Sequence, residues 1–314
     1  MTRKPLTEWQ VNMPTIPRES NWREFFVQQL IRLMGVSAIA FVAVIFLFLI
    51  KEGTPALAQV PLANLIGSRW YPTFGIYGLL PLILGSLLVT AGAMAISLPL
   101  GLATAIFIAE IAPEWLREVL KPAIEIIAGI PSVVVGFVGI QVVAPLVRDL
   151  MGAPTGLTAF TGVLLLAYMA LPTIVSIAED ALDAVPQSYR NAAYALGATE
   201  WQTIWRVVLP AARPGVITAV MLGVGRAIGE TMTVLMVTGN AARMPLGFDA
   251  FFRSVRTMTA TIAAEMGEVA RGSTHYHVLF VVGLALFIVT FLINLLAAMS
   301  IFGQERGGGG RFLA

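Results

Sequence analysis

Gln187-Ser188-Tyr189-Arg190-Asn191-Ala192-Ala193-Tyr194-Ala195-Leu196-Gly197-Ala198-Thr199-Glu200-Trp201-Gln202-Thr203-Ile204-Trp205-Arg206-Val207-Val208-Leu209-Pro210 is the stretch on which the fold turns. It predicts a short helix over roughly Gln187 to Leu196. Gly197 follows as the residue type that accepts the left-handed conformation just past a helix end. Thr199-Glu200-Trp201-Gln202 then has the spacing of a capping box, which opens a second helix. That helix is expected to end before Pro210, because an interior proline removes a hydrogen bond and collides with the preceding turn. The small Ala residues of the first helix would let another surface approach closely. Trp201, Ile204 and Trp205 form an apolar face that needs covering, either by the protein's own bundle or by a partner.

The surrounding chain is a membrane sequence. Of its 314 residues 57% are apolar, against about 45–50% in soluble domains. Only 12% are charged, against about 25%. Mean hydropathy is +0.82. This composition excludes a disordered chain, a collagen and a basic nucleic-acid-binding domain; net charge is only +2. Cysteine is absent, which removes disulfides, thiolate metal sites and cysteine nucleophiles.

Six apolar runs read as spans. Ile31–Ile50 is the first, and Arg32 within it can snorkel to the interface. Ala56-Leu57-Ala58 has the look of a small-residue cleavage site, but the polar lead and long apolar run suit an uncleaved span. Trp70 to Ala109 is 40 residues without a charge, too long for one ordinary span of about 20 residues. It reads as a helix from about Leu79 to Leu98, a kink near Pro99-Leu100-Gly101, and a further apolar helix to Glu110. Ala123–Val147, with Pro131 inside, is the third span and Thr158–Ala178 the fourth. Gly215–Val237 is the fifth and Val278–Phe302 the sixth. Residues 51–78 form an external loop, 79–302 the core, and 179–213 the loop quoted above. Residues 303–314 read as a flexible tail. Six spans put both ends on one side, where twelve Lys and Arg stand against seven on the other. The positive-inside rule places both termini, and residues 179–213, in the cytoplasm.

Arg226 and Glu230 are charges inside the fifth span. Four residues apart on one helix, they would share a face. Arg226 would lie roughly 18 Å beyond Pro214 at 1.5 Å per residue. Such charges cost about 2.5–3.5 kcal/mol each at mid-membrane and usually face a cavity or a partner. A guanidinium suits a tetrahedral oxyanion, since its donors bind two oxygens at once. A carboxylate repels such an ion, so Glu230 is expected to pair with Arg226, either orienting it for a ligand or locking helices. Gly225 and Gly229 form a small-residue face suited to close helix packing.

Two resemblances follow from these residues. Asn191-Ala192-Ala193, Gly197 and Val207-Val208-Leu209-Pro210 resemble the EAA loop of ABC importer permeases, with every spacing kept; Asn191 stands for the family's Glu and Val207 for its Ile. Gly225-Arg226-Ala227-Ile228-Gly229-Glu230-Thr231-Met232, continued to Gly239-Asn240, is similar to the signature of phosphate importer permeases. Ala128-Gly129-Ile130-Pro131-Ser132-Val133-Val134 is similar to that family too. The Met after Gly-Glu-Thr and the stretch Thr259–Glu268 favour the PstC-type subunit over its PstA-type sister. The resemblance implies an all-α ABC type I importer (MetI-like) permease fold in a bacterial inner membrane. It implies a second permease of PstA type, two ATPase subunits that hold ATP and Mg, and a phosphate-binding protein. It implies coupling to the ATPases through Asn191, Ala192, Ala193, Gly197, Leu209 and Pro210, and a substrate pathway through Arg226, Glu230 and Thr231. A permease for sulfate or molybdate, an ATPase-independent anion transporter and a membrane sensor are the alternatives.

The remaining candidates read as surface. His275 and His277 suit an exposed polar loop better than a metal site, which needs more ligands. Glu179, Asp180 and Asp183 suit a solvated face or a partner contact. Arg243, Arg253, Arg256 and Arg271 outweigh Asp249, Glu265 and Glu268 outside, and either attract an anion or acidic protein or are simply hydrated. No P-loop is present, since none of Lys4, Lys51 and Lys121 follows a glycine; any ATPase must be another chain.

Overall fold

The computed structural model describes residues 22–152 and 155–308. Arg3, Lys4 and Arg18, and the residues from 309 onward, lie outside them. Helices α1 (Trp22–Gln59) and α2 (Leu62–Leu65) precede a small antiparallel hairpin, β1 (Trp70–Tyr71) and β2 (Ile76–Tyr77). Helix α3 (Leu80–Ile106) ends in a π-helical turn, Phe107–Ile111. Helix α4 (Glu114–Ala128) precedes α5 (Ser132–Val138), a π-helical turn at Gly139–Val143 and α6 (Ala144–Met151). Helices α7 (Ala159–Asp183), α8 (Gln187–Ala195) and α9 (Glu200–Thr203) follow. A third π-helical turn, Ile204–Val208, leads into α10 (Leu209–Gly229). Helices α11 (Met232–Val237), α12 (Met258–Glu265) and α13 (Thr274–Gly308) complete the described chain.

Six stretches among the described residues are long and apolar enough to cross a membrane: Phe25–Gln59, Leu80–Ile111, Ser132–Met151, Ala159–Asp183, Glu200–Gly229 and Thr274–Leu296. Their number agrees with the sequence reading, but several boundaries do not. The first helix is longer than its apolar run. The second passes through Pro99 without leaving the helical conformation, and Gly101 packs against α7. The third is not continuous over Ala123–Val147: α4 stops at Ala128, and Pro131 stands before α5 rather than inside a helix. Pro131 has no N–H and disfavours helix in the residue before it, which produces this boundary. The second loop helix does not end before Pro210. The wider π-helical turn has already altered the hydrogen-bond ladder there, and Pro210 falls in the first turn of α10. The fifth span also breaks at Glu230–Thr231. Residues 303–308, read as tail, continue α13.

Residues up to Phe48 and residues from Leu49 form two units. In the first, the N-terminal part of α1 is exposed and apolar on several sides, from Phe25 and Ile31 to Ile39 and Phe41, the pattern of a helix solvated by lipid. In the second, α7 is the central helix and packs along α3 and α10. Glycines set the approach. A Cβ at Gly101 of α3 would stand 2.9 Å from Ile174 Cγ2, and one at Gly223 of α10 only 2.6 Å from Ile174 Cγ1. Ile174, fully buried, thus sits in notches on two neighbours. Small residues allow such close packing where no hydrophobic effect drives helices together.

Candidate functional site

Two broken helices meet around Arg226. Helix α10 ends at Gly229, and Glu230 adopts an extended conformation (φ −66°, ψ 130°) before α11 begins. The break frees backbone groups that lipid cannot satisfy. The Thr259 hydroxyl donates to the Glu230 carbonyl at 2.9 Å, and the Thr231 hydroxyl to the Gly229 carbonyl at 3.2 Å. The Glu230 carboxylate accepts the Thr233 N–H at 3.2 Å, satisfying a donor in the first turn of α11. The Thr233 hydroxyl donates across to the Ser132 carbonyl at 2.9 Å, joining this break to the one between α4 and α5.

Arg226 bridges the same place from the end of α10. It donates to the Thr173 hydroxyl on α7 at 3.1 Å and to the Ala128 carbonyl, the last of α4, at 3.3 Å. The expected pairing with Glu230 is not formed. Because the helix breaks between them, the two residues do not share a helical face, and Glu230 is engaged as a cap. Arg226 forms no ion pair among the described residues, and Glu230 forms none either. Two of the guanidinium's five N–H groups have partners among the described residues, and both partners are neutral. Gly225 and Gly229 do not pack closely against any described residue: a Cβ at either would meet open space. Thr173 carries no sequence signal of its own, whereas Thr233 and Thr259 lie in stretches singled out by the sequence; the Ala128–Val134 motif also lies at this site.

The loop at the far end of α7 matches its sequence in local detail. Gly197 has φ +80°, and Thr199 and Gln202 form both bonds of the capping box. Asn191 and Ala192 are exposed, whereas Ala193 faces its own protein. The apolar face of the next helix divides as well: Ile204 is buried, while Trp201 and Trp205 stay exposed edge-to-face at 5.9 Å. Tyr189, Tyr194 and Leu196 add to that exposed surface, Leu196 at 89% exposure. Leu209 is half-buried and Pro210 exposed at the start of α10.

Four ion pairs stitch this end together. Lys121 of α4 reaches Glu179 at 2.8 Å and Asp180 at 3.0 Å, and Arg117 reaches Asp183 at 3.7 Å. Hydrogen bonds to Glu179 and Asp180 hold the Lys121 ammonium well above the usual lysine range. The three carboxylates therefore are not a freely solvated face, and Glu179 is buried. The fourth pair was invisible as a pair in the sequence. Arg190 of α8 holds Glu110, in the turn after α3, through both carboxylate oxygens. Its other bonds run to the Val185 carbonyl at 2.6 Å and the Leu182 carbonyl at 3.0 Å. The only available signal was that Glu110 ends the uncharged run and Arg190 is the sole charge in α8.

Near the hairpin, the histidines are not in an exposed loop but in the first turn of α13. Glu265 contacts His275 Nε2 at 2.8 Å, Arg256 at 2.8 Å and the Trp70 indole N–H at 3.2 Å. His277 Nδ1 contacts the Glu52 carbonyl at 2.8 Å. Burial, and then the Glu265 charge, push the Tyr77 phenol up from its ordinary range. Arg256 is therefore not simply hydrated, while Arg253 makes an exposed 3.5 Å pair with Asp249.

Comparisons with known proteins agree with this architecture. Residues 97–305 match the family described as binding-protein-dependent transport system inner membrane component. A Bacillus subtilis (strain 168) protein named probable ABC transporter permease protein YqgH is 44% identical over 75% of this chain and 76% of its own. Phosphate transport system permease proteins PstC are 33% identical in Xylella fastidiosa, over 88% of this chain and 91% of that one. In Mesorhizobium japonicum the corresponding values are 37%, 77% and 79%. Among solved structures, an inward-facing MetNI methionine ABC transporter aligns with a TM-score of 0.54 at 21% identity, over 72% of this chain and 94% of that one. A bacterial ABC transporter that imports alginate aligns with a TM-score of 0.56 at 16% identity, over 90% and 98%. The fold is thus that of ABC importer permeases. By family match, identity to curated permeases and the six-span helical architecture together, this chain belongs to the binding-protein-dependent transport system inner membrane components.

Proposed function

We propose that this chain is the PstC-type permease subunit of an ATP-driven importer of inorganic phosphate. The observation that carries the reading is Arg226: a guanidinium with no counter-ion among the described residues, set where two helices break within the membrane-crossing bundle. An uncompensated charge is costly there, and an anion arriving with free acceptor oxygens would offset that cost. The similarity to phosphate permeases names the oxyanion.

Thr173 and the Ala128 carbonyl orient the guanidinium, and phosphate takes its remaining donors. Glu230 keeps the break open by capping α11, and Thr231 lies beside it. The open face at Gly225 and Gly229 receives a second permease of PstA type, which completes the pathway. On the cytoplasmic side, with both termini there, Asn191 and Ala192 with Tyr194, Leu196, Trp201 and Trp205 dock one of two ATPase subunits that hold ATP and Mg. Gly197, Leu209 and Pro210 set the turn and the helix start that present this surface, and Ala193 anchors it. Asn191 carries no charge, so docking here rests on shape and apolar area. A phosphate-binding protein delivers substrate outside. Closure of the ATPases moves α8, the pathway opens outward, and hydrolysis returns it inward; this chain performs no covalent step.

The test is radiolabelled phosphate uptake in cells lacking the native copy, at matched membrane levels. Wild type is expected to restore uptake, and Arg226→Gln to abolish it while the partners still copurify. Normal uptake by Arg226→Gln would make the residue structural. Uptake competed by sulfate or molybdate but not phosphate would keep the permease and change its substrate.

A further inference from the structure

Helix α8 has few attachments. It joins α7 through Ala184–Pro186 and α9 through a turn in which Gly197 takes φ +80°. Both connections are short turns, the kind of segment that absorbs backbone rotation. Asn191, Ala192, Tyr194 and Ala195 are exposed, so few side chains of α8 grip the bundle. Ala193 and Arg190 are the buried exceptions, and of the two only Arg190 has a polar side chain to bond with. Its side chain is 10% exposed and Glu110's is 7%. The guanidinium grips both oxygens of Glu110, beyond the end of α3, and two carbonyls at the end of α7.

We infer that Arg190 is the positioning residue that ties α8 to α3 and α7, so that a displacement of α8 is passed to the pathway helices. The inference rests on the permease reading above. The load path is short and stiff. Leu182, whose carbonyl Arg190 holds, lies nine residues along α7 from Thr173, or about 14 Å at 1.5 Å per residue. Thr173 is a direct partner of Arg226. On the other arm, Glu110 draws on α3, which is keyed to α7 through Gly101 and Ile174. Hydrogen bonds to a charged group are strong and directional, so the joint resists shear that apolar contacts alone would allow.

The test uses the whole complex in proteoliposomes with its phosphate-binding protein, reading ATP hydrolysis and phosphate transport together. Arg190→Cys with Glu110→Cys removes both charges at once and leaves no uncompensated buried ion. The chain has no other cysteine, and a cavity of about 470 Å³ bordered by Glu110, Arg117, Asp183 and Arg190 gives a reagent access. Without a linker, ATP hydrolysis is expected to persist while phosphate moved per ATP falls about tenfold, within the usual range of coupling energies. Joining the two cysteines with a bifunctional methanethiosulfonate should restore the ratio, and reductant should remove it again. Either single cysteine treated alike should stay uncoupled.

Wild-type coupling in the unlinked variant would overturn the inference, and so would a linked variant that stays uncoupled. If the double variant fails to assemble, Arg190→Lys decides. Its single ammonium cannot hold two carboxylate oxygens and two carbonyls together, so transport per ATP should fall; an unchanged ratio overturns the inference. A wild-type complex that moves no phosphate would instead sink the substrate reading, and the same ratio would then be read with the oxyanion it does move.

Discussion

Arg226 is half-buried and Arg190 buried, and the partners each has are opposites. Arg190 has a carboxylate gripped through both oxygens and two carbonyls; its positive charge is answered within the chain. Its neighbourhood, led by the Glu110 hydrogen bonds, holds the guanidinium even more firmly protonated than usual. Arg226 has one hydroxyl and one carbonyl, both neutral. On the readings proposed above, the satisfied cation serves as a fastener and the half-satisfied one as a place for an anion. Residue type does not separate the two roles, but the list of partners does.

The contrast can be broken most sharply at Arg226. Arg226→Gln should cut phosphate uptake on the order of a hundredfold, the scale of losing hydrogen bonds to a charged group, with complex assembly unchanged. Next is the asymmetry of the Arg190 pair. Arg190→Leu alone should destabilise the purified complex by about 3–5 kcal/mol, because it strands the Glu110 charge. Arg190→Leu with Glu110→Leu should recover most of the melting temperature. Recovery of stability without recovery of coupling would separate fastening from folding. A smaller effect is expected at the break itself. Thr259→Val leaves the Glu230 carbonyl unsatisfied at a cost of about 1–3 kcal/mol, so uptake should fall severalfold with phosphate preference kept, as competition with sulfate would show. Smallest is Arg148→Ala. Arg148 and Asp149 are adjacent and mostly exposed, and such pairs contribute about 0–1 kcal/mol; neither melting nor uptake should change measurably.

What was legible in the sequence depended on neighbours along the chain. The six spans, the stop at Gly197 and the capping box at Thr199 each follow from a run or a spacing of a few residues. The same holds for the charge at Arg226, which stands out against an apolar run. Both helix breaks were hidden. Pro131 reads as a proline inside a span and Glu230 as one more helical residue, because the carbonyls freed at the two breaks are satisfied from far along the chain, Ala128 by Arg226 and Glu230 by Thr259. The Arg190–Glu110 pair spans 80 residues, beyond any periodicity argument. The misreading of Pro210 has a local cause: a π-helical turn relocates the hydrogen bond that proline would have cost.

Ile174 links three helices at one point. It lodges against Gly101 and Gly223 with almost no clearance, so none of the three positions can vary independently. A methyl added at either glycine must be answered by atoms removed at 174, and a smaller residue at 174 leaves a void facing both partners. A substitution at one of these positions therefore calls for a compensating one at another, although more than 120 residues separate the outer two.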